Sequence, residues 1–78
     1  MSTFDVEVDA TGLACPLPIL RAKKAVAGLT SGQTLKVTAS DPGSVKDFAA
    51  FCQQTGHELV SSSEDDGVYI YFIKVADV

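Results

Sequence analysis

The sequence predicts an α/β (α+β) two-layer sandwich of order β-α-β-α-β-β, a four-stranded mixed sheet with two helices on one face. Three observations carry this. Two segments alternate apolar and polar residues with period two, two segments of helical periodicity are punctuated by Pro and Gly, and the tail holds an Asp66-Gly67 turn between β-forming runs. Because the first two strands alternate rather than run continuously apolar, each has a wet face, which places both helices on the same side of the sheet.

From Phe4 to Asp9, Phe4, Val6 and Val8 alternate with Asp5, Glu7 and Asp9, which marks a strand with its apolar set buried. Pro16 to Leu29 reads as the first helix: both prolines fall in the first turn, and Gly28 and Gly32 mark the end. At about 100° per residue, Ile19, Ala22, Val26 and Leu29 share the core side. Leu35, Val37 and Ala39 alternate with Lys36, Thr38 and Ser40 in the second strand. After Asp41-Pro42-Gly43 a second helix begins with Ser44 as N-cap and Asp47 in an imperfect capping box, and Gly56 stops it. Val45, Phe48, Ala49 and Cys52 form its expected buried stripe. Leu59-Val60 and Val68 to Val75 are the arms of a hairpin closed by Asp66-Gly67. On the last strand Tyr69, Tyr71 and Ile73 lie opposite Val68, Ile70 and Phe72, and one set faces the open side.

A chain of 78 residues is one small domain, read as spanning 1–78, with no room for a large internal substrate cavity. The net charge of −4 and pI of 4.6 have the wrong sign for counterion-release binding to nucleic acid. With no signal segment and no long apolar run, a cytoplasmic protein without membrane contact is expected. Cys15 and Cys52 are too few for a secreted disulfide framework and read as reduced thiols. One histidine and no CxxC pair make a metal site improbable. A monomer is expected, with a weak dimer through the open sheet face as the alternative.

Cys15-Pro16-Leu17-Pro18 is the most informative stretch. It sets a thiol at the cap position of a helix whose first turn is stiffened by two prolines, where unpaired N–H groups and the helix dipole favour the nucleophilic thiolate. With no N–H on Pro16 or Pro18, Leu17 and Ile19 are the donors left near the sulfur. Opposite the core side lie Leu17, Leu20 and Lys24, flanked by Arg21 and Lys23, and Arg21, Lys23 and Lys24 are half of the six basic residues. Pro16, Leu17, Pro18, Leu20, Arg21, Lys23 and Lys24 therefore form an expected partner-docking and thiolate-stabilising surface, apolar and positive. The bland readings are that Cys15 is a small buried residue at a helix start and that the stripe is a solvated helix face with its leucines half covered by the preceding loop. No second cysteine stands near Cys15 for dithiol exchange, His57 reads as a surface or packing residue opening the third strand, and Cys52 as inert core. One nucleophilic cysteine without an acid, base or oxyanion hole suits a covalent carrier better than a hydrolase.

Asp9-Ala10-Thr11-Gly12-Leu13-Ala14-Cys15-Pro16-Leu17-Pro18, with Asp41-Pro42, Phe51-Cys52 and Gly56-His57-Glu58-Leu59, resembles the TusA/SirA-like sulfur carrier proteins nearly end to end. The resemblance implies the same fold, a persulfide on Cys15 as the only covalent intermediate, and no cofactor. It implies persulfide-donating and persulfide-accepting partners: rhodanese-like, DsrE-like or heterodisulfide-reductase-like proteins, or a cysteine desulfurase. Leu17 stands where several members acting in tRNA thiolation carry an acidic residue, and Pro18 to Lys24 is similar to members from sulfur-oxidising bacteria. Sulfur oxidation or trafficking is thus the expected role, with tRNA thiolation and molybdenum-cofactor supply as alternatives. Two further classes compete: a non-catalytic interaction module using Leu17, Leu20, Arg21 and Lys24, and a nucleic-acid module stacking bases on Tyr69 and Tyr71.

Overall fold

Six elements follow the expected order: β1 (Val6–Ala10), α1 (Leu17–Ala27), β2 (Thr34–Ala39), α2 (Ser44–Thr55), β3 (Glu58–Asp65) and β4 (Val68–Lys74). The computed structural model describes residues 4–14 and 17–76. The strands lie in the order β1-β2-β4-β3; β1 pairs with β2 in parallel, and β4 is antiparallel to both β2 and β3. The sheet is mixed, as the sequence predicts, and β1 and β3 are its edges.

The helix-facing side of the sheet presents Ala10, Leu35, Val37, Ala39, Tyr71 and Ile73, all buried, against Ala22 of α1 and Phe48, Phe51 and Cys52 of α2. Each large apolar side chain here contributes roughly 1.5–3 kcal/mol by leaving water. Phe48 stacks on Tyr71 at 4.6 Å between ring centroids and meets Phe51 edge-on at 6.4 Å. Val68, Ile70 and Phe72 therefore line the open face. Tyr69 and Tyr71 do not form a stacking pair on the open face, because α2 covers Tyr71 and the partly buried Tyr69 packs on the same side.

Phe4 departs from its expected place in the core. It precedes β1, so strand parity does not bind it, and its ring lies on the open face 6.4 Å from Phe72 and 5.3 Å from Lys36 Nζ. Val6 is likewise exposed, because the helices reach over only the far end of this edge strand.

In α2 the buried stripe is Ser44, Phe48, Phe51 and Cys52, while Val45 and Ala49 are exposed. The helix is turned relative to the expected stripe because Ser44 does not cap it. Its hydroxyl points inward and shares a 2.8 Å hydrogen bond with the Tyr71 hydroxyl, and Gly43 occupies the N-cap with no side-chain bond. Asp41 holds the entry turn instead, its carboxylate accepting the Gly43 N–H at 3.2 Å and its carbonyl the Ser44 N–H at 3.0 Å. Gly56 ends α2 as expected, in the left-handed region at φ 85°, donating to the Cys52 carbonyl at 2.9 Å.

β3 runs through Ser61, Ser62 and Ser63, well beyond the expected Leu59-Val60, and nearly all of it is exposed. The hairpin turn is as expected, with Asp66 at φ 54° and Gly67 at φ 81°, the positive pair of a type I′ turn. His57 precedes β3 rather than opening it. Its ring is buried 5.9 Å from Phe51, and Nδ1 accepts the Ala76 N–H at 3.0 Å, which is a packing role.

Candidate functional site

The loop from β1 to α1 is held by short polar contacts encoded in Asp9-x-Thr11-Gly12. Asp9 Oδ1 accepts both the N–H of Thr11 at 3.0 Å and its hydroxyl at 2.6 Å, an Asx turn at the strand end. These two bonds hold the Asp9 carboxyl below the usual carboxylate range, with a smaller contribution from the Arg21 charge. Gly12, at φ 81°, adopts a backbone that favours glycine and donates its N–H to Ser40 Oγ at 2.8 Å, tying the loop to the end of β2. Leu13 turns back toward the core, its N–H on the Ala10 carbonyl at 3.3 Å.

Cys15 and Pro16 lie outside the described residues. On either side of them Ala14 and Leu17 are exposed, and the Leu17 N–H donates to the Ala14 carbonyl at 2.9 Å. Leu17 therefore cannot be counted as a free donor for a thiolate, contrary to the sequence reading, because the turn into α1 engages its amide. No acidic residue stands in the first turn of α1. The positive end of the helix is thus not opposed by a carboxylate there.

The expected docking surface divides. Leu17 and Leu20 are 45% and 52% exposed, and with Arg21 and Lys24 they form one stripe of α1. This stripe, Val8 and Ala25 line an open groove of about 540 Å³ between α1 and β1. Lys23 turns away toward α2, into a smaller cleft with Asp47 and Gln54. Pro18 is fully buried, so it fixes the first turn and offers nothing to a partner. The periodicity of α1 identified the stripe; the contribution of Val8 depends on β1 being an edge, which the sequence does not signal.

Cys52 is 6% exposed, and burial pushes its thiol above the usual range, so it stays protonated. Among the described residues no group of three or more His, Cys, Asp or Glu is placed to hold a metal ion. No helix among them is long and apolar enough to cross a membrane.

These features define a small α+β domain of SirA-like architecture. A SirA-like protein from Desulfitobacterium hafniense, solved as a crystal structure, matches with a TM-score of 0.81 and 28% identity, covering 94% of this chain and 100% of that one. The chain belongs to the TusA family: the family model described as Sulfurtransferase TusA matches residues 6–75. It is 60% identical over 74 residues to the sulfur carrier protein TusA of Allochromatium vinosum, a sulfur-oxidising bacterium, covering 95% of this chain and 97% of that protein. It is also 43% identical over 72 residues to TusA of Pseudomonas putida strain GB-1, covering 92% and 90% of the two chains.

Proposed function

We propose that this protein is a cytoplasmic sulfur carrier that holds sulfane sulfur as a persulfide on Cys15 and serves sulfur oxidation or trafficking. The observation that carries the reading is the Cys15-Pro16-Leu17-Pro18 run at the start of α1, beside exposed leucines and cations in an otherwise acidic chain. The sulfur carrier names of the relatives support the role.

In the loading step the Cys15 thiolate attacks the terminal sulfur of a donor persulfide. The bond between the donor's two sulfurs breaks as the bond to Cys15 forms, and the donor leaves as a thiolate. The terminal sulfur keeps its proton, and one S–S bond replaces another, so no external oxidant or reductant enters. Unloading repeats the exchange, with an acceptor thiolate attacking Cys15-S-SH. The dipole of α1 favours the Cys15 thiolate in this scheme. The groove stripe Leu17, Leu20, Arg21 and Lys24 meets donor and acceptor proteins, with rhodanese-like, DsrE-like and heterodisulfide-reductase-like proteins as the partner classes. Leu17 between the two prolines and the relative from a sulfur-oxidising bacterium favour this pathway over tRNA thiolation.

Complementation of a deletion strain tests the reading. Cys15→Ser is expected to fail while Cys52→Ser restores growth on reduced sulfur. Full rescue by Cys15→Ser would mean that the protein acts as a non-catalytic interaction module.

A further inference from the structure

The two edges of the sheet are finished differently. β3 is broken by a register shift between Leu59 and Ser61, a feature that blunts an edge against strand addition. β1 pairs with β2 in unbroken register from Val6 to Ala10, and among the described residues its other side has no strand neighbour. Along that free side runs the groove of about 540 Å³, with Val8 on one wall, Leu17 and Leu20 on the other, and Arg21 and Lys24 among its lining. Val6, 37% exposed, continues the apolar row along β1.

We propose that the free edge of β1 and this groove form one docking site that takes an extended segment of a partner protein as an added strand. The inference rests on the carrier reading, because a protein exchanging sulfur with Cys15 is the one that would bring such a segment here. The two faces of β1 define the segment's chemistry. Side chains on the helix side enter the groove and are apolar, or acidic where they reach Arg21 and Lys24. Side chains on the open side lie about 5 Å from those of Glu7, half-exposed and paired with Lys36 at 3.6 Å, and Asp9, and are Lys or Arg that add to this charge network. The segment therefore alternates basic residues with apolar or acidic ones. Main-chain hydrogen bonds supply affinity and the alternation supplies specificity. A second copy of this chain does not fit, since β1 against β1 sets Glu7 and Asp9 beside the same acids, and like charges across strands are destabilising.

The test is an NMR titration of the full chain, labelled with ¹⁵N, against two capped peptides of identical composition. In one, lysine alternates with valine and a single glutamate takes a groove-side position; in the other the lysines are gathered in a block. The alternating peptide is expected to shift the amides of Val6 to Ala10 together with Leu17 and Leu20, to slow hydrogen exchange along β1, and to bind about tenfold tighter than the block peptide. Leu20→Asp and Glu7→Lys should each remove that preference. Equal affinity of the two peptides, shifts that avoid β1, or self-association through β1 would overturn the proposal. Loading of Cys15 by inorganic polysulfide, which needs no docking, is measured on the same samples. Failure there counts against the carrier reading, whereas normal loading with no response at β1 counts against the docking site alone.

Discussion

The hydroxyls of Ser44 and Tyr71 satisfy each other in the core at 2.8 Å, and burial pushes the Tyr71 phenol above its usual range, so it stays protonated. Ser44→Ala or Tyr71→Phe leaves the other hydroxyl without this partner and is expected to cost about 1–3 kcal/mol in urea denaturation. The double variant should cost less than the sum of the two, since the pair is one interaction. Equal and additive losses would show that the bond does not couple them. Asp9 supplies a pH dependence. Its carboxyl titrates lower in the folded chain than in the unfolded one, so its contribution is present above about pH 4, the ordinary carboxylate value, and is lost as pH falls through the lower folded value. Thr11→Val should raise the Asp9 titration midpoint followed by carboxyl ¹³C shifts; an unchanged midpoint would remove the hydroxyl as the leading cause. The buried, raised Cys52 thiol is expected to resist iodoacetamide at neutral pH until the protein is unfolded.

Each element depends on a few positions where local chemistry and packing agree or compete. At the end of α2 they agree: Gly56 is at φ 85°, and Gly56→Ala is expected to cost about 1 kcal/mol through strain, read as a lower midpoint of thermal unfolding. At its start they compete, and the inward hydroxyl of Ser44 prevails over capping. The i, i+3, i+4, i+7 apolar spacing that puts Val45 and Ala49 inward is therefore displaced to Ser44, Phe48, Phe51 and Cys52. β3 was short in the sequence reading for a different reason: an edge strand exposed along most of its length carries no apolar alternation, and Ser61-Ser62-Ser63 reads as loop. β1 and β2 are legible through period-two patterning, β4 through its β-branched and aromatic run, and the Asp66-Gly67 turn because its positive φ angles favour those residues. The α1 stripe was legible too, and only its depth was not, since the burial of Pro18 and the outward turn of Lys23 depend on where the sheet and α2 lie. Leu20→Asp and Arg21→Glu fall on exposed positions. They should shift stability by no more than about 0.5 kcal/mol while slowing sulfur loading from a protein donor, with loading by inorganic polysulfide unchanged.

At the scale of the whole molecule, charge and layering give the domain two unlike sides. Three of the six basic residues sit on α1, while the open face of the sheet carries mixed charge, Glu7, Asp9, Glu58 and Asp65 with Lys36 and Lys74 around Val68, Ile70 and Phe72, and Lys36 pairs with Glu7 at 3.6 Å. In a chain of net charge −4, Arg21 and Lys24 on the groove side of α1 are the exposed cations expected to attract acidic surfaces of a partner. Protein-to-protein sulfur transfer should accordingly slow as ionic strength rises, because exposed charges are screened beyond about 8–10 Å at physiological salt. In the proposed carrier role the Cys15 sulfur is the atom that holds the cargo. The most direct test is intact mass of the reduced protein after exposure to a persulfide donor, for wild type, Cys15→Ser and Cys52→Ser, before and after a reductant wash. The account predicts a gain of one sulfur atom in wild type and Cys52→Ser, removed by reductant and missing in Cys15→Ser; a gain that persists in Cys15→Ser, or none in any variant, would contradict it.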